Sequence, residues 1–330
     1  MGDTNWDDVI GQSQLINNLK SALEHKKVSH AYLFQGERLS GKKMTADIFA
    51  RALECEADGE RPCNRCRACR QAINGNHPDI IRVTHEKANT ISVDNVRQQI
   101  NGDIAIKPYS GAYKIYIMDE AEKMNVQAQN ALLKTLEEPP EYAVILLLAT
   151  RAEAMLPTIL SRCVVLNVKS VPEDRIKRYL TDRVQVQDYR AGICASFARG
   201  NVGRAVELAS NESFDHMKSA VLDMMKKIAE LETNQVAVEV KRITEEKFDT
   251  DDYLDLCFTW FRDVLLYKAC GDKRYIIFKE ETTEIGRAAE RYGYEKIERI
   301  IRSIERARSR LEANVNFDLT MELMFSDMIA

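Results

Sequence analysis

The sequence predicts an α/β P-loop domain with a parallel sheet, followed by two helical domains. Three observations carry that reading. Strand and helix signals alternate as far as Val168, the pattern of a parallel sheet covered on both faces. A segment running from Gly36 to Lys42 lies between an apolar strand and a helix, where backbone N–H groups can cradle phosphate. Beyond Val168 the strand signals cease and helical periodicity takes over.

The elements follow in order. Gln12–His25 carries Leu15, Ile16, Leu19 and Leu23 at helical spacing. Ala31–Gln35 is a short apolar run that meets Gly36 and reads as a buried strand. Lys42–Glu54 is helical, with Met44, Ile48 and Leu53 apolar. Further strands are expected at Ile80–Val83, Lys114–Met118, Ala143–Ala149 and Cys163–Val168. Helices at Val93–Ile104 and Glu122–Glu138 lie between them, the second stopped by Pro139-Pro140. From Pro172 the chain is polar and helical, and Gly200 and Gly203 break a segment that resumes at Arg204–Ala209. A second shift falls at Ser210–Ser213. Beyond it, Asp252–Ala269 is the clearest amphipathic helix, with Leu254, Cys257, Phe258, Phe261 and Leu265 on one face and Gly271 as a cap. Tyr275–Phe278 is the one remaining strand candidate. The expected boundaries are an α/β domain at 1–168, a small helical domain at 169–210 and a larger helical domain at 211–330.

The 330 residues carry 47 Lys+Arg against 51 Asp+Glu, a formal net charge of −4. That excludes affinity for nucleic acid through overall positive charge. The longest apolar run, Tyr142–Ala149, is eight residues, far short of the ~18 that span a bilayer. The acidic N-terminus lacks the basic and apolar regions of a signal peptide, and Trp6 stands where myristoylation would need Ser or Thr. A cytoplasmic protein with no membrane contact is expected.

Four of the eight cysteines fall within fifteen residues: Cys55, Cys63, Cys66 and Cys69. In a reducing compartment such clustering means metal or redox chemistry. The spacing suits a tetrahedral zinc ion, and four thiolates leave no open position for water, so the site would be structural. A redox pair, unligated thiols and an iron–sulfur cluster are the alternatives. Arg61, Arg65, Arg67 and Arg70 crowd the cluster; they read as solvated arginines, or as counter-charge or a partner contact. Cys163, Cys194, Cys257 and Cys270 read as small buried hydrophobes.

The segment Gly36-Glu-Arg-Leu-Ser-Gly41-Lys42-Lys43 has P-loop spacing, but Lys43 replaces the Ser or Thr that would coordinate Mg²⁺. Thr45, two residues on, is turned to the far side of the helix. The matching half is Lys114–Glu120, a strand ending in Asp119 and Glu120. One carboxylate there can hold Mg²⁺ and the other can orient water; Asp119 as a helix cap is the alternative. Binding of ATP or ADP stays open, and hydrolysis is not expected.

These segments, together with His30-Ala-Tyr-Leu-Phe34, His77-Pro-Asp79, Asn130–Pro140 and Ser161-Arg162-Cys163, resemble the clamp-loader subunits of bacterial DNA polymerase III, which are AAA+ proteins. The likeness covers residues 5–210 with specific motifs and continues more weakly to Asn314–Leu323, which resembles the last helix of the family's C-terminal collar. It implies an AAA+ domain with a zinc insert at 55–69, a helical lid and an oligomerising collar. Lys43, and a chain ending at Ala330, point to the non-hydrolysing delta-prime type rather than the ATP-hydrolysing tau/gamma motor. An active motor and a zinc-dependent nucleic-acid-binding module are the alternatives. The implied partners are tau/gamma and delta subunits, the sliding clamp, and primer-template DNA through the assembled complex. By the same resemblance, Val9 and Ile10 would lie near adenine, with Thr150 as sensor 1 and Arg204 as sensor 2. Arg162 would be an arginine finger completing a neighbour's ATP site. The plainer alternatives are core packing for Val9 and Ile10, a strand-end hydroxyl for Thr150, and surface charges for Arg204 and Arg162.

Overall fold

A computed structural model describes residues 3–85, 89–231 and 233–329. The chain divides into two compact units, Met1–Tyr179 with Ala198–Ala205, and Leu180–Phe197 with Val206–Ala330. Residues 169–210, expected as a lid, are thus shared between the two units.

In the first unit the elements run α1 (Ser13–Glu24), β1 (Ala31–Gln35), α2 (Lys42–Glu54), α3 (Arg67–Ile73), β2 (Ile80–Arg82), α4 (Val93–Val96), β3 (Lys114–Met118), α5 (Val126–Glu137), β4 (Ala143–Ala149), α6 (Pro157–Leu160) and β5 (Val164–Asn167). All pairings are parallel, in the order β2-β3-β4-β1-β5. Because strand side chains alternate, the sheet has two apolar faces. Leu33, Tyr116, Ile145 and Leu147 pack with Ala128 and Leu132 of α5 on one side. Tyr32, Phe34, Ile115, Leu146 and Leu148 pack with Ile48 and Phe49 of α2 on the other. Central β4 is therefore buried at all seven positions, which explains its uninterrupted apolar run.

Helix boundaries differ from the periodicity where local bonding competes. The expected 93–104 helix relaxes after α4 into a π-turn over Arg97–Asn101. The expected 122–138 helix starts only at Val126, because Asn125 caps it by accepting from Ala128 N–H at 2.8 Å. Among the remaining cysteines, Cys194 and Cys257 are buried as expected, but Cys163 is half-buried and Cys270 exposed.

The remaining helices are α7 (Glu173–Asp182), α8 (Asp188–Phe197), α9 (Val202–Ser210), α10 (Glu212–Lys227), α11 (Thr233–Glu245), α12 (Thr250–Cys270), α13 (Thr282–Arg291), α14 (Tyr294–Glu312) and α15 (Phe317–Ile329). Gly203 lies inside α9 rather than breaking a segment. A Cβ there would come within 2.2 Å of the Leu39 carbonyl oxygen, so the position serves close packing.

In the second unit α12 is the central helix, packing on α10, α13 and α14. Leu254, Cys257, Trp260, Phe261 and Val264 are all nearly inaccessible. Its C-terminus is capped as expected: Gly271 adopts φ +65° and its N–H donates to Tyr267 O at 2.8 Å. The strand expected at Tyr275–Phe278 is absent. Asp263 on α12 instead accepts from the N–H groups of Ile277 and Phe278 at 2.8 and 2.9 Å. A buried carboxylate thus takes the place of a partner strand. No helix among the described residues is long and apolar enough to cross a membrane.

Burial raises the Asp263 pKa from 3.8 to about 6 against the pull of Phe278 N–H and Arg262. The native state therefore holds this proton more tightly than the unfolded chain. Its stabilising effect is complete below pH 3.8 and is lost as pH rises through about 6. Asp263→Asn keeps an oxygen for both N–H groups but cannot ionise. Chemical denaturation of the variant and the wild type should show their stability difference changing by on the order of 2–3 kcal/mol across that window and flat above it.

Candidate nucleotide site and four-cysteine centre

Both halves of the nucleotide site lie at the C-terminal ends of parallel strands β1 and β3, which flank β4, where α/β folds place ligands. After β1 the chain turns through Gly36–Gly41 and enters α2, with Gly41 as N-cap at φ +93°. That left-handed conformation suits glycine. The Lys42 ammonium donates to the carbonyls of Gly36 at 2.5 Å and Glu37 at 2.7 Å. Burial pulls its pKa down, against the fields of Glu122, Asp119 and Glu37.

Lys43 forms an ion pair with Asp119 at 3.3 Å. The residue standing at the metal-ligand position of the loop is thus bound to the carboxylate that would hold the metal from β3. An ammonium has three donors and no acceptor, so it cannot ligate a cation. It occupies the position as a fixed monovalent charge. Thr45 offers no substitute: it is fully buried and its hydroxyl donates to Gly41 O at 2.9 Å.

The remaining carboxylates are engaged locally. Glu120 accepts from Lys123 at 2.6 Å, and its backbone N–H donates to Asp119 at 3.0 Å. The short helical turn Ala121–Lys123 has Glu120 as its N-cap, with no side-chain cap bond, so Asp119 does not cap it. Thr150 directly follows β4 and bonds Glu122 through its hydroxyl and through its N–H at 3.2 Å. Glu122 was not singled out by sequence, because it lies two residues past the Asp-Glu pair and only the fold brings it to Thr150. Asn201 was also missed. Its amide donates to Arg38 O at 2.7 Å and to Glu37 at 3.5 Å, while its Oδ1 accepts from Arg204 N–H at 3.1 Å. The start of α9, with Gly203 and Arg204, is thereby seated on the loop. Val9 is a core residue packed with Trp6, 6% exposed, and Ile10 is half-buried.

Arg162 follows α6. It donates to Thr158 O at 2.9 Å and Ser161 Oγ at 3.2 Å, and pairs with Glu137 at 2.9 Å. It is partly exposed and held by its own domain, apart from the loop residues.

The four-cysteine centre is built from two helix ends. Cys55 follows the last residue of α2, and Cys66 caps α3, accepting from Cys69 N–H. Cys63 N–H donates to Cys55 Sγ at 3.4 Å, Cys66 N–H to Cys63 Sγ at 3.3 Å, and Cys69 N–H to Cys66 Sγ at 3.4 Å. All four sulfurs lie within 4.8 Å of one another. Tetrahedral ligands at a Zn–S distance of about 2.3 Å stand about 3.8 Å apart, so the set fits one ion with small adjustments. Burial pushes the thiols of Cys55 and Cys69 up. At Cys63 burial works upward too, but N–H groups of Arg65 and Cys66 outweigh it and bring the thiol to about 6. A divalent cation would let all four ionise together. Arg61, Arg65, Arg67 and Arg70 are exposed, as solvated arginines would be.

Glu54, His77 and Asp79 form a second buried group of donor atoms. Asp79 already accepts from the N–H groups of Tyr109, Ser110 and Gly111 and from the Ser110 hydroxyl. That bonding gives the His-Pro-Asp motif a structural role in holding the turn before β3.

Comparison with known proteins agrees with this architecture. A family profile described as DNA polymerase III, delta subunit, matches residues 11–172, and one described as its C-terminal part matches 215–329. The chain is similar to DNA polymerase III subunit delta' of Bacillus subtilis, 27% identical over 315 residues and covering 94% of both proteins. It is also similar to subunit tau of that organism, 33% identical over 301 residues, 84% of this chain and 53% of tau. It spans about half of that tau subunit's length, and 30% of a tau/gamma subunit from Haemophilus influenzae. A crystal structure of a gamma-subunit-related protein from Thermotoga maritima aligns over 94% of this chain and 98% of that one, at 21% identity and a TM-score of 0.45. The two profiles and the likeness to delta' over 94% of both chains show the family: the chain belongs to the clamp-loader subunits of DNA polymerase III.

Proposed function

We propose that the chain is a delta-prime-type clamp-loader subunit that does not hydrolyse ATP and works within the assembled loader on the sliding clamp and primer-template DNA. The observation that carries this is the Lys43–Asp119 ion pair. In P-loop enzymes Mg²⁺ bridges the loop hydroxyl, the strand-end carboxylate and the β- and γ-phosphates. Here a lysine occupies the first position and neutralises the second. Glu120, the water-orienting candidate, is paired with Lys123. What remains intact is the shape of the loop and its Lys42, so ATP or ADP binding without turnover is compatible with the site. The 94% coverage of the delta' relative supports the same reading.

In this reading tau/gamma and delta subunits are the neighbours, and the protein works in the cytoplasm. The domains would act as an AAA+ body at 1–168, a lid at 169–210 and a collar at 211–330. Exposed Leu319 and Leu323 lie one turn apart on α15, an apolar strip suited to a collar contact. The four cysteines would hold a structural zinc ion, which fixes the 55–69 insert and supplies no reaction chemistry. Arg162 would act in trans. Its guanidinium lies at the domain surface in an ion pair of the kind worth ~0–1 kcal/mol, a tie weak enough to exchange for a neighbour's γ-phosphate.

Protein prepared without added metal should contain one equivalent of zinc by elemental analysis. Cys66→Ser should lose it while the second unit stays folded; iron, or no metal in fully reduced protein, would refute the assignment. Steady-state phosphate release by the purified chain should equal that of Lys42→Ala, and a clear excess over that control would favour the tau/gamma motor reading. In the reconstituted loader, Arg162→Ala should leave assembly unchanged and slow hydrolysis at the one adjacent site by on the order of 10³-fold. Lysine should rescue poorly because it lacks the planar fork. Wild-type ATPase and loading rates with Arg162→Ala would make this arginine a surface charge only.

A further inference from the structure

Arg51 lies on α2, one turn before Cys55, and is 4% exposed. Its guanidinium donates to the carbonyl and hydroxyl oxygens of Thr4, both at 2.8 Å, and to Asn64 Oδ1 at 3.3 Å. No carboxylate among the described residues bonds to it. Asp47, one turn back on the same helix, is taken by Arg82 at 2.7 Å, and Arg51 Nε is buried without an acceptor. A cation buried in this way is costly unless an anion sits nearby. The fields of Asp47, Cys69 and Asp3 all act on it. Of these, Cys69 belongs to the cysteine cluster and packs against the Arg51 backbone, its Sγ 4.0 Å from the Arg51 carbonyl oxygen.

Four thiolates around one divalent ion carry a net charge of about −2. The four arginines of the insert are exposed, so water screens them; Arg51 is the one arginine buried beside the sulfurs. It also reaches the knuckle directly. Asn64 stands in the turn between Cys63 and Cys66, in the left-handed region at φ +57°. Its amide donates to Asp3 O and Thr4 O at 3.2 Å and to Asn5 Oδ1 at 2.8 Å. Trp6 Nε1 completes the stitching by donating to Arg61 O at 2.7 Å.

We infer that Arg51 is a positioning residue of the four-cysteine centre, supplying the buried counter-charge for its metal-loaded thiolates and latching residues 3–6 onto the knuckle. Metal occupancy and anchoring of the N-terminal segment are then coupled, since emptying the centre leaves only Asp47 and Asp3 to offset the Arg51 charge. The inference rests on the reading that the centre holds a metal.

The test uses the full chain loaded with Zn²⁺ or, for absorption, Co²⁺. Competition with a chelator should show Arg51→Met losing metal affinity by about 10- to 100-fold, the range for outer-shell partners of metal sites. Arg51→Lys, which keeps the charge, should stay within a few-fold of wild type, and Arg70→Met, an exposed control, should be unchanged. The thiolate-to-cobalt absorption should shift in Arg51→Met and not in Arg70→Met. Amide exchange over residues 3–8 should quicken when wild-type protein is stripped of metal. If Arg51→Met does not fold, Arg51→Lys still decides: metal loss as large as 10-fold with the charge retained would overturn the counter-charge role. Wild-type affinity and spectrum in Arg51→Met would overturn the inference while leaving the metal in place. A wild-type chain that binds no metal would remove the parent reading as well.

Discussion

The first unit depends on strand β1 being held between β4 and β5. Tyr32 and Phe34 point to one apolar layer, Ala31 and Leu33 to the other, and all four are buried. A parallel strand covered on both faces needs a crossover helix on each side. The chain leaving β1 must therefore turn sharply into α2, and the chain leaving β3 must turn beside it. That packing requirement brings Gly36–Lys43 and Asp119 together. The nucleotide site is a product of sheet order, and its residues need no affinity for one another to meet there.

What the family scaffold does at that meeting point is set by charge. With a hydroxyl at position 43 the strand-end carboxylate would face a divalent ion; with lysine it faces an ammonium 3.3 Å away. The fold is indifferent to the exchange, since both partners are about half exposed and the pair adds little stability at such exposure. The chemistry is not indifferent. A bridging metal neutralises charge on the transferring phosphoryl group, and a lysine already paired to aspartate has less of its charge available for that purpose. The seating of Asn201 on Arg38 is unaffected, so the loop keeps its shape while losing its metal ligand.

The insert after α2 solves a different physical problem. Residues 55–66 contain few apolar side chains and no regular element, so hydrophobic burial cannot order them. Thiolate ligation can, because four ligands from a short loop concentrate a large binding free energy at one point. N–H donors to the sulfurs and the N-terminal segment bonded to Asn64 shape the loop around that point.

How much of this was legible in the sequence follows from the range of each interaction. Strands β1, β3 and β4 and helix α2 coincide with their expected limits, because near-continuous apolar runs and a glycine boundary are local signals. The cysteine set, the P-loop and the substitution at Lys43 were equally legible, since spacing along the chain defines them. Helix starts were not: side-chain caps such as Asn125 compete with periodicity over a single turn. Tyr275–Phe278 looked like a strand because it is apolar, yet its backbone partner is a carboxylate on α12, more than ten residues away in sequence. Gly203 looked like a breaker, and only the approach of Leu39 shows that it serves packing. Sequence by itself determined which chemical groups this protein carries and in what spacing. The tertiary structure alone decided which charges meet, Lys43 with Asp119 and Arg51 beside Cys69, because those pairings join elements that no local pattern connects.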